Sequence, residues 1–514
     1  MHLIRSITTV GSYTIGSRFF GFMREVLTAS FLGAGAAADG LVFAIKFPSF
    51  FRRLFAEGAF NASFVPLFAG LLATKGEEEA RSFAEQILTL WVGALFILIL
   101  LIEVFLPVIL PVLLPGFAST PERLFYAIEF SRITFPFIFF ISITALYSGI
   151  LNSFDKFALV ASSPMIGNMV IIAVVLGFHT AFLSSGSAIA WGVMLCGIAQ
   201  CLWVWIPAYR RGMGLRFVWP RFDGNVATFF KVLAPAAFGS GVVQVNLFIG
   251  AFIASWLPTG AISYLSYADR LNQLPLSVIG VAVSTVLLPI LSRHIRAKSW
   301  EEARQVQNQA IEFSMFLTLP STIALIFLAD PLVMVVFERG AFTALDTKAT
   351  AWTLQALAMG LPAYVLIKIF SSSFFARQDT RTPIYTACAG IGVDIALSLA
   401  LMGAYHQVGI AFATAASAWM NALCLGYLLW RQGHFVFEKR LIHFGSRMLA
   451  TCGGTVVLLK SMAVMAQPFF AGGELERGSV VVGLLGVGVC GFLVFSHYMG
   501  AIRFHDLKLM FART

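Results

Sequence analysis

The feature that most constrains this chain is a set of long stretches without charged side chains. Residues 157–209 contain no Asp, Glu, Lys or Arg, and the same holds for 232–268, 271–292, 395–430 and 478–502. About 20 apolar residues form one helix across a bilayer, so each stretch is long enough for one or two crossings. Because backbone polar groups in lipid must bond within their own segment, these stretches predict membrane-spanning helices.

The composition also points to a membrane protein. Hydrophobic residues make up 59% of the 514 residues, and charged residues only 12%, against about 25% in ordinary soluble domains. Breaking the apolar stretches at polar, Pro and Gly positions predicts an all-α integral membrane fold with fourteen transmembrane helices. The predicted helices are 7–33, 40–72, 83–113, 124–151, 158–178, 187–209, 225–256, 260–292, 308–330, 348–375, 382–403, 409–430, 441–466 and 478–501.

The positive charges predict how these helices are oriented. The loops and tails predicted on the same side of the membrane as the N-terminus hold 22 of the 35 Lys and Arg residues. The loops on the opposite side of the membrane hold four: Arg123, Arg339, Lys348 and Arg477. Cytoplasmic loops carry such an excess, so both termini are predicted to be cytoplasmic. The net charge of +10 is spread over short loops and tails, which argues against a nucleic-acid-binding surface.

Four landmarks recur at an offset of 223 to 226 residues and predict an internal duplication. They are Pro66 with Pro289, Pro107 with Pro331, Asp155 with Asp379, and Pro136 with Pro362. We therefore predict two pseudo-symmetric six-helix lobes, at 1–222 and 223–431. An even number of helices per lobe makes the copies parallel, a plan found in transporters. The last helix pair, in 432–514, lies outside the duplication.

Ionisable residues are concentrated in the first two predicted helices. A charge at mid-bilayer costs about 2.5–3.5 kcal/mol on insertion scales, so such residues usually face a cavity or a partner. The residues are Arg18, Arg24, Glu25, Asp39, Lys46, Arg52, Arg53 and Glu57, with Asp269 and Arg270 at the matching place in the second half. The heptad spacing of Asp39, Lys46 and Arg53, with Glu57 one turn further on, predicts a stripe that lines water.

Two interpretations of these charges remain open. They could pair with one another, Asp39 with Lys46, Glu57 with Arg53 and Glu25 with Arg18, and only hold helices together. Six cations against four anions instead favour a cavity for an anionic head group, since Arg presents a fork of donors that suits phosphate.

The other sequence signals are weaker. Asp394 stands alone in the eleventh helix, where it could ligate a coupling cation such as sodium or make a helix–helix hydrogen bond. The chain has no nucleotide-binding G-x-x-x-x-G-K-[ST] motif, no metal spacing among its His residues and no catalytic constellation. We therefore expect a protein that is not an enzyme and that binds no nucleotide.

The stretch 16–68, which begins GSRFFGFMREV, resembles the N-terminal signature of the MurJ (MviN) family of the MOP exporter superfamily. The resemblance extends to YADRLNQLP at 267–275 and FFARQDTRTP at 374–383. It implies two six-helix lobes and a final helix pair that forms a groove for a lipid tail. It also implies a central cationic cavity, whose family positions fall here on Ser17, Arg18, Arg24, Asp39, Arg52, Arg53 and Arg270.

By this resemblance the chain is expected to flip lipid II, the undecaprenyl-pyrophosphate-linked peptidoglycan precursor, for cell-wall synthesis. Transport would run from the cytoplasmic to the periplasmic leaflet of the bacterial inner membrane by alternating access. The expected partners are lipid II and membrane lipids, and the chain is expected to act as a monomer. The net positive charge of the cavity makes the membrane potential the expected driver, with Asp394 and sodium in a minor role.

Two other functions remain as alternatives. A MOP-type cation-coupled exporter of small molecules or drugs predicts twelve helices and cavities dominated by acidic residues. A membrane enzyme acting on polyprenyl-linked sugars would need catalytic acids in a large external loop, and the predicted external loops are short.

Overall fold

The computed structural model describes residues 2–55, 58–178, 184–436 and 438–500. Within these ranges the chain forms helices and no strands, which confirms the all-α fold class. The helices are α1 His2–Leu32, α2 Ala36–Phe55, α3 Ala59–Lys75, α4 Glu77–Leu113, η1 Pro115–Ser119, α5 Pro121–Thr134, α6 Phe137–Ser153, α7 Phe157–Phe178, α8 Ser185–Arg210, α9 Gly224–Ser255, α10 Ala261–Arg296, α11 Trp300–Phe327, α12 Ala329–Phe337, α13 Ala344–Ala358, α14 Leu361–Ala376, α15 Arg381–Arg431, α16 Lys439–Ala466, η2 Gln467–Ala471 and α17 Glu474–Tyr498.

Three spans predicted as single helices are broken in the structure. The span 40–72 consists of α2 and α3, the span 124–151 of α5 and α6, and the span 348–375 of α13 and α14. Gly58, the N-cap residue of α3, has a φ of 56°, a backbone conformation that favours glycine. Pro136 precedes α6 and Pro362 lies in the first turn of α14, where proline is tolerated because it lacks an N–H. The predictions missed these breaks because each is short and is flanked by apolar residues on both sides.

The spans predicted at 382–403 and 409–430 run on as the single element α15. The two predicted spans are separated within α15 by a break at His406, whose φ of 48° and ψ of −129° are not helical. The two spans are therefore joined by one irregular residue rather than by a loop.

Nine helical segments within the described residues are long and apolar enough to cross a membrane. The chain is thus a multi-pass membrane protein, while the total of fourteen spans stays a prediction.

Helix contacts divide the chain into two compact units. Unit 1 comprises Met1–Ser263 with Arg339–Phe342, and unit 2 comprises Tyr264–Glu338 with Thr343–Thr514. In unit 1, α2 packs on α5, and α7 lies between α1 and α8. Three buried phenylalanines along one face of α3, Phe60, Phe64 and Phe68, stack in sequence with ring centroids 5.4 Å apart. Aromatic packing therefore fills the space between α3 and its neighbours.

In unit 2, α11 and α15 pack on α14, and α16 packs on α17 and α11. One core of this unit contains Leu287 and Leu291 of α10 with Phe374 of α14 and Leu425 and Leu429 of α15. A second core joins α11, α16 and α17 through Phe316, Met448 and Phe492. The last two helices are thus part of the packing of unit 2.

The boundary between the units lies within the first turns of α10, whereas the lobes predicted from the repeat meet at 222/223. The difference arises because α9 packs on α2, α3 and α4 of unit 1. The turn Arg339–Phe342 also belongs to unit 1, where Ala341 N–H donates to the Ser30 carbonyl at 2.7 Å. Gly33 and Gly340 permit this contact, since both have a φ of 60° and a Cβ on either would collide with the opposite backbone.

Helix starts recur along the chain at nearly the spacing of the sequence landmarks. Starts of corresponding helices lie 223 or 224 residues apart: α4 and α11 at 77 and 300, α5 and α13 at 121 and 344, α6 and α14 at 137 and 361, α7 and α15 at 157 and 381. One landmark shifts by a residue. The left-handed turn residues are Asp155, with a φ of 58°, and Gln378, with a φ of 63°, so the backbone equates Asp155 with Gln378 rather than Asp379.

Candidate functional site

Helix α1 carries the first group of predicted site residues. Arg18 is exposed and Ser17 half-buried, and Arg24 and Glu25 lie further along the helix with exposed side-chain fractions of 20% and 13%. The Arg24 Nη2 lies 2.6 Å from the Glu25 Oε1, so Glu25 pairs with its neighbour in sequence. The sequence had suggested Arg18 as the partner of Glu25, and the structure shows Arg24 in that place.

Arg24 has a second partner that the sequence did not suggest. Its Nη1 donates to the Asn168 Oδ1 on α7 at 3.1 Å. The Asn168 Nδ2 donates to the Ser17 carbonyl at 3.2 Å and to the Pro164 carbonyl at 3.1 Å. The backbone of Ser17 and the side chain of Arg24 are therefore brought together by one amide of α7.

Asp39, at the start of α2, is fully buried. Its carboxylate accepts hydrogen bonds from the backbone N–H of Gly260 at 2.8 Å and from the N–H and hydroxyl of Ser263 at 2.9 and 2.7 Å. The Arg123 Nη2 lies 3.0 Å from the Asp39 Oδ2. Asp39 thus pairs with Arg123 rather than with Lys46 as proposed, and it does not line water in this structure.

Arg123 is the residue of this group that sequence reasoning missed. Its side chain is 2% exposed, its Nη1 lies 2.9 Å from the Leu257 carbonyl and 3.4 Å from the Ser255 carbonyl, and its guanidinium lies 4.1 Å from the Phe117 ring centroid. Sequence analysis placed it in an external loop. One signal was present, because a cation in the first turn of a helix opposes the helix dipole unless a carboxylate compensates it.

The other charged residues of α2 behave differently from Asp39. Lys46 and Arg53 are exposed and Arg52 is half-buried, while Glu57 lies outside the described residues. The predicted stripe is therefore buried at its first member and open at the next two. Unit 1 accordingly presents cationic side chains from α1 and α2 that an anion could reach.

Unit 2 contains the remaining candidates. Arg270 of α10 is exposed, and the preceding Asp269 accepts a hydrogen bond from Gln273 one turn later. The half-buried Asp394 accepts from the Thr414 hydroxyl at 3.2 Å, a contact between the two halves of α15. No group of three or more His, Cys, Asp or Glu side chains converges in the described part of the chain, so a sodium site at Asp394 would need hydroxyl or carbonyl oxygens.

Comparisons with known proteins show which family the chain belongs to. The sequence model of the family described as "Lipid II flippase MurJ" matches residues 28–477. The chain belongs to this family. A probable lipid II flippase MurJ of Rhizobium tropici is 41% identical over 467 residues, which cover 89% of this chain and 87% of that protein. A second, from Vibrio cholerae, is 34% identical and covers 98% of both chains.

Solved structures agree with the MurJ assignment. A lipid II flippase MurJ in an inward closed conformation is 27% identical, with a TM-score of 0.77 over 97% of this chain and 99% of that one. An inward-facing multidrug MATE transporter of the MOP superfamily has a TM-score of 0.67 over 83% of this chain and 98% of that one, at 13% identity. The second likeness shows the fold alone, and it confirms the expected MOP-type architecture.

Proposed function

We propose that this chain flips lipid II from the cytoplasmic to the periplasmic leaflet of a bacterial inner membrane. The observation that carries the proposal is the family match over residues 28–477. Two relatives named as probable lipid II flippases support it, because this chain aligns with them over most of their length. Drug transporters match at the level of the fold, so the drug-exporter alternative has less support. Flipping breaks no covalent bond, and the protein is accordingly a transporter rather than an enzyme.

The substrate group that the exposed cations suit is the pyrophosphate. Guanidinium forks bind phosphate oxygens in pairs, and Arg18, Arg24 and Arg53 are at least partly accessible in unit 1. Arg270 supplies a further exposed fork in unit 2. In our proposal the arginines of unit 1 bind the head group, with Ser17, Lys46 and Arg52 completing the polar lining. Asp269 and Arg270 of unit 2, and Glu57 outside the described residues, stay predictions from the sequence.

Asp39 takes a different role in this proposal. Its buried network joins α2, the start of α5, the end of α9 and the first turn of α10 within unit 1. Alternating access requires one end of the carrier to close while the other opens. We assign the Asp39–Arg123 network to closure at the end where the predicted periplasmic loops lie, and not to contact with the head group.

The direct test is the location of lipid II. Depletion of the protein in its host should leave lipid II confined to the inner leaflet, and purified protein in liposomes should move it between leaflets without nucleotide. The proposed topology has its own test: with both termini cytoplasmic, a cysteine at Ser119 should react with an impermeant reagent in intact cells and one at Ser299 should not. Normal flipping after depletion would contradict the function, and reversed labelling would contradict the topology.

We further propose that the membrane potential resets the empty carrier. One charge crossing 100 mV gains or loses about 2.3 kcal/mol, and a cavity with excess positive charge is drawn inward when it holds no substrate. Collapsing the potential at constant pH and sodium gradients should then stop flipping. Unchanged flipping would contradict this proposal and would indicate that an ion gradient drives transport instead.

A further inference from the structure

The side chain of Asn168 connects two helices of unit 1 at the point where a proposed substrate ligand lies. Arg24 comes from α1 and Asn168 from α7, and the Arg24 Nη1 to Asn168 Oδ1 distance is 3.1 Å. Both hydrogens of the amide Nδ2 have backbone acceptors, the carbonyls of Ser17 and Pro164. This network fixes the amide orientation, because the flipped amide would turn a donor towards a guanidinium and an acceptor towards two carbonyls.

The close approach of α1 and α7 holds Asn168 in place. A Cβ on Gly21, one turn before Arg24, would lie 3.5 Å from the Asn168 Nδ2. A Cβ on Gly16 would lie 3.0 Å from the sulfur of Met165, one turn before Asn168. The backbones of α1 and α7 thus approach each other closely on the face where the Asn168 amide lies.

The charges around Arg24 explain why the partner is an amide. Glu25 already supplies one carboxylate, at 2.6 Å from the Arg24 Nη2. Because Glu25 already compensates the charge of Arg24, a second carboxylate would give the group a net negative charge that repels phosphate, whereas a neutral carbonyl oxygen orients the guanidinium without adding negative charge. Within the described residues, these contacts use two of the five N–H donors of Arg24, which leaves three for a ligand.

We propose that Asn168 is a positioning residue that aims the Arg24 guanidinium at the substrate phosphates without adding a negative charge beside it. This inference rests on the function proposed above. Arg18 provides the contrast, because its exposed side chain forms no hydrogen bond or ion pair in the described part of the chain. Arg24 is thus oriented before substrate arrives, and Arg18 becomes ordered on binding.

The test compares Asn168→Ala, Asn168→Asp and the control Gln200→Met in the purified full-length chain. Gln200 is a buried amide of α8 that contacts α7 at Ser163, with an Oγ to Oε1 distance of 3.2 Å, so its loss perturbs α7 without touching an arginine. The measurements are the Kd for lipid II, the maximal flipping rate in liposomes and the melting temperature. We expect Asn168→Ala to raise the Kd about tenfold, with a maximal rate and melting temperature close to those of Gln200→Met.

Asn168→Asp separates orientation from charge. It keeps an acceptor for Arg24 and adds a negative charge, so the Kd should rise at least as much as in Asn168→Ala, and more at low salt, where charges are less screened. If Asn168 acts through Arg24, Asn168→Ala should have no further effect once Arg24 is replaced by Ala. The double variant should therefore bind lipid II no more weakly than Arg24→Ala alone.

The outcomes separate this inference from the proposed function. If the unchanged protein neither binds nor flips lipid II, the proposed function fails. If Arg24→Ala weakens binding but Asn168→Ala does not, or if the two effects add in the double variant, Asn168 only connects α1 with α7 and the positioning role is wrong. A fall in melting temperature without a change in Kd would lead to the same conclusion.

Discussion

Two ionic sites in unit 1 differ in how completely they are enclosed. The Asp39–Arg123 pair has exposed fractions of 0% and 2%, and Asp39 is bound by backbone and hydroxyl donors of Gly260 and Ser263. The Arg24–Glu25 pair has exposed fractions of 20% and 13%, and among the described residues only two of the five guanidinium N–H donors of Arg24 are used. An enclosed pair can only hold helices together, whereas a partly open one can also accept a ligand. The difference lies in burial rather than in residue type.

The largest expected effect tests the enclosed site. Arg123→Met leaves Asp39 as a buried unpaired charge and should lower the free energy of unfolding by about 3–5 kcal/mol, measured by thermal or denaturant unfolding in detergent. Combining it with Asp39→Asn should recover part of the loss. The exposed Lys75 offers a control, since Lys75→Met should change stability by about 0.5 kcal/mol or less. If Arg123→Met and Lys75→Met lowered the free energy of unfolding equally, the enclosed Asp39–Arg123 pair would contribute no more to stability than an exposed charge.

A second prediction tests the carbonyl groups that bind Arg123. Gly116 packs against the backbone of Ser255, and a Cβ there would collide with the Ser255 carbonyl. Gly116→Ala should therefore cost about 1–3 kcal/mol in the same unfolding measurement. Gly93, within α4, has nothing within 4 Å of an added Cβ, and Gly93→Ala should cost nothing. If both variants unfold alike, the close approach beside Arg123 does not constrain the structure.

A third prediction concerns the open site. Arg24→Lys keeps the charge but loses the fork, so lipid II should bind about tenfold more weakly, or about 1.4 kcal/mol, with little change in stability. Binding by lipid II titration and unfolding measured on the same preparation check both parts. A large loss of stability with unchanged binding would make the Arg24–Glu25 pair a structural one like Asp39–Arg123.

The smallest effect is expected in unit 2. Asp394 accepts from Thr414 at 3.2 Å, and Asn at this position can still accept through its carbonyl oxygen. Asp394→Asn should thus keep the fold and reduce flipping by less than about tenfold, about 1.4 kcal/mol or less. Complete loss of flipping with normal expression would make Asp394 part of the coupling machinery.

Sequence alone determined the features that depend on local pattern. Long apolar stretches predicted the all-α fold class, although three predicted spans each consist of two helices. Corresponding helix starts repeat at 223 or 224 residues, close to the spacing of the sequence landmarks. The motif at 16–68 led to the family that the comparisons then established. Breaks such as Gly58 and Pro136 were visible in the sequence, but their effect depends on neighbouring helices that can enclose the interruption.

Only the tertiary structure decided which charges meet. Heptad spacing placed Asp39 on one stripe with Lys46, yet Asp39 binds Arg123 of another helix and Arg24 binds Asn168 of α7. Partners distant in sequence are chosen by how helices pack, and one sequence without that packing carries no signal for them. Burial follows from the same packing, because neighbouring helices, and not the residue itself, remove a side chain from solvent. Residue types therefore predicted an anion site, and the fold decided which of its charged side chains are buried and which are accessible.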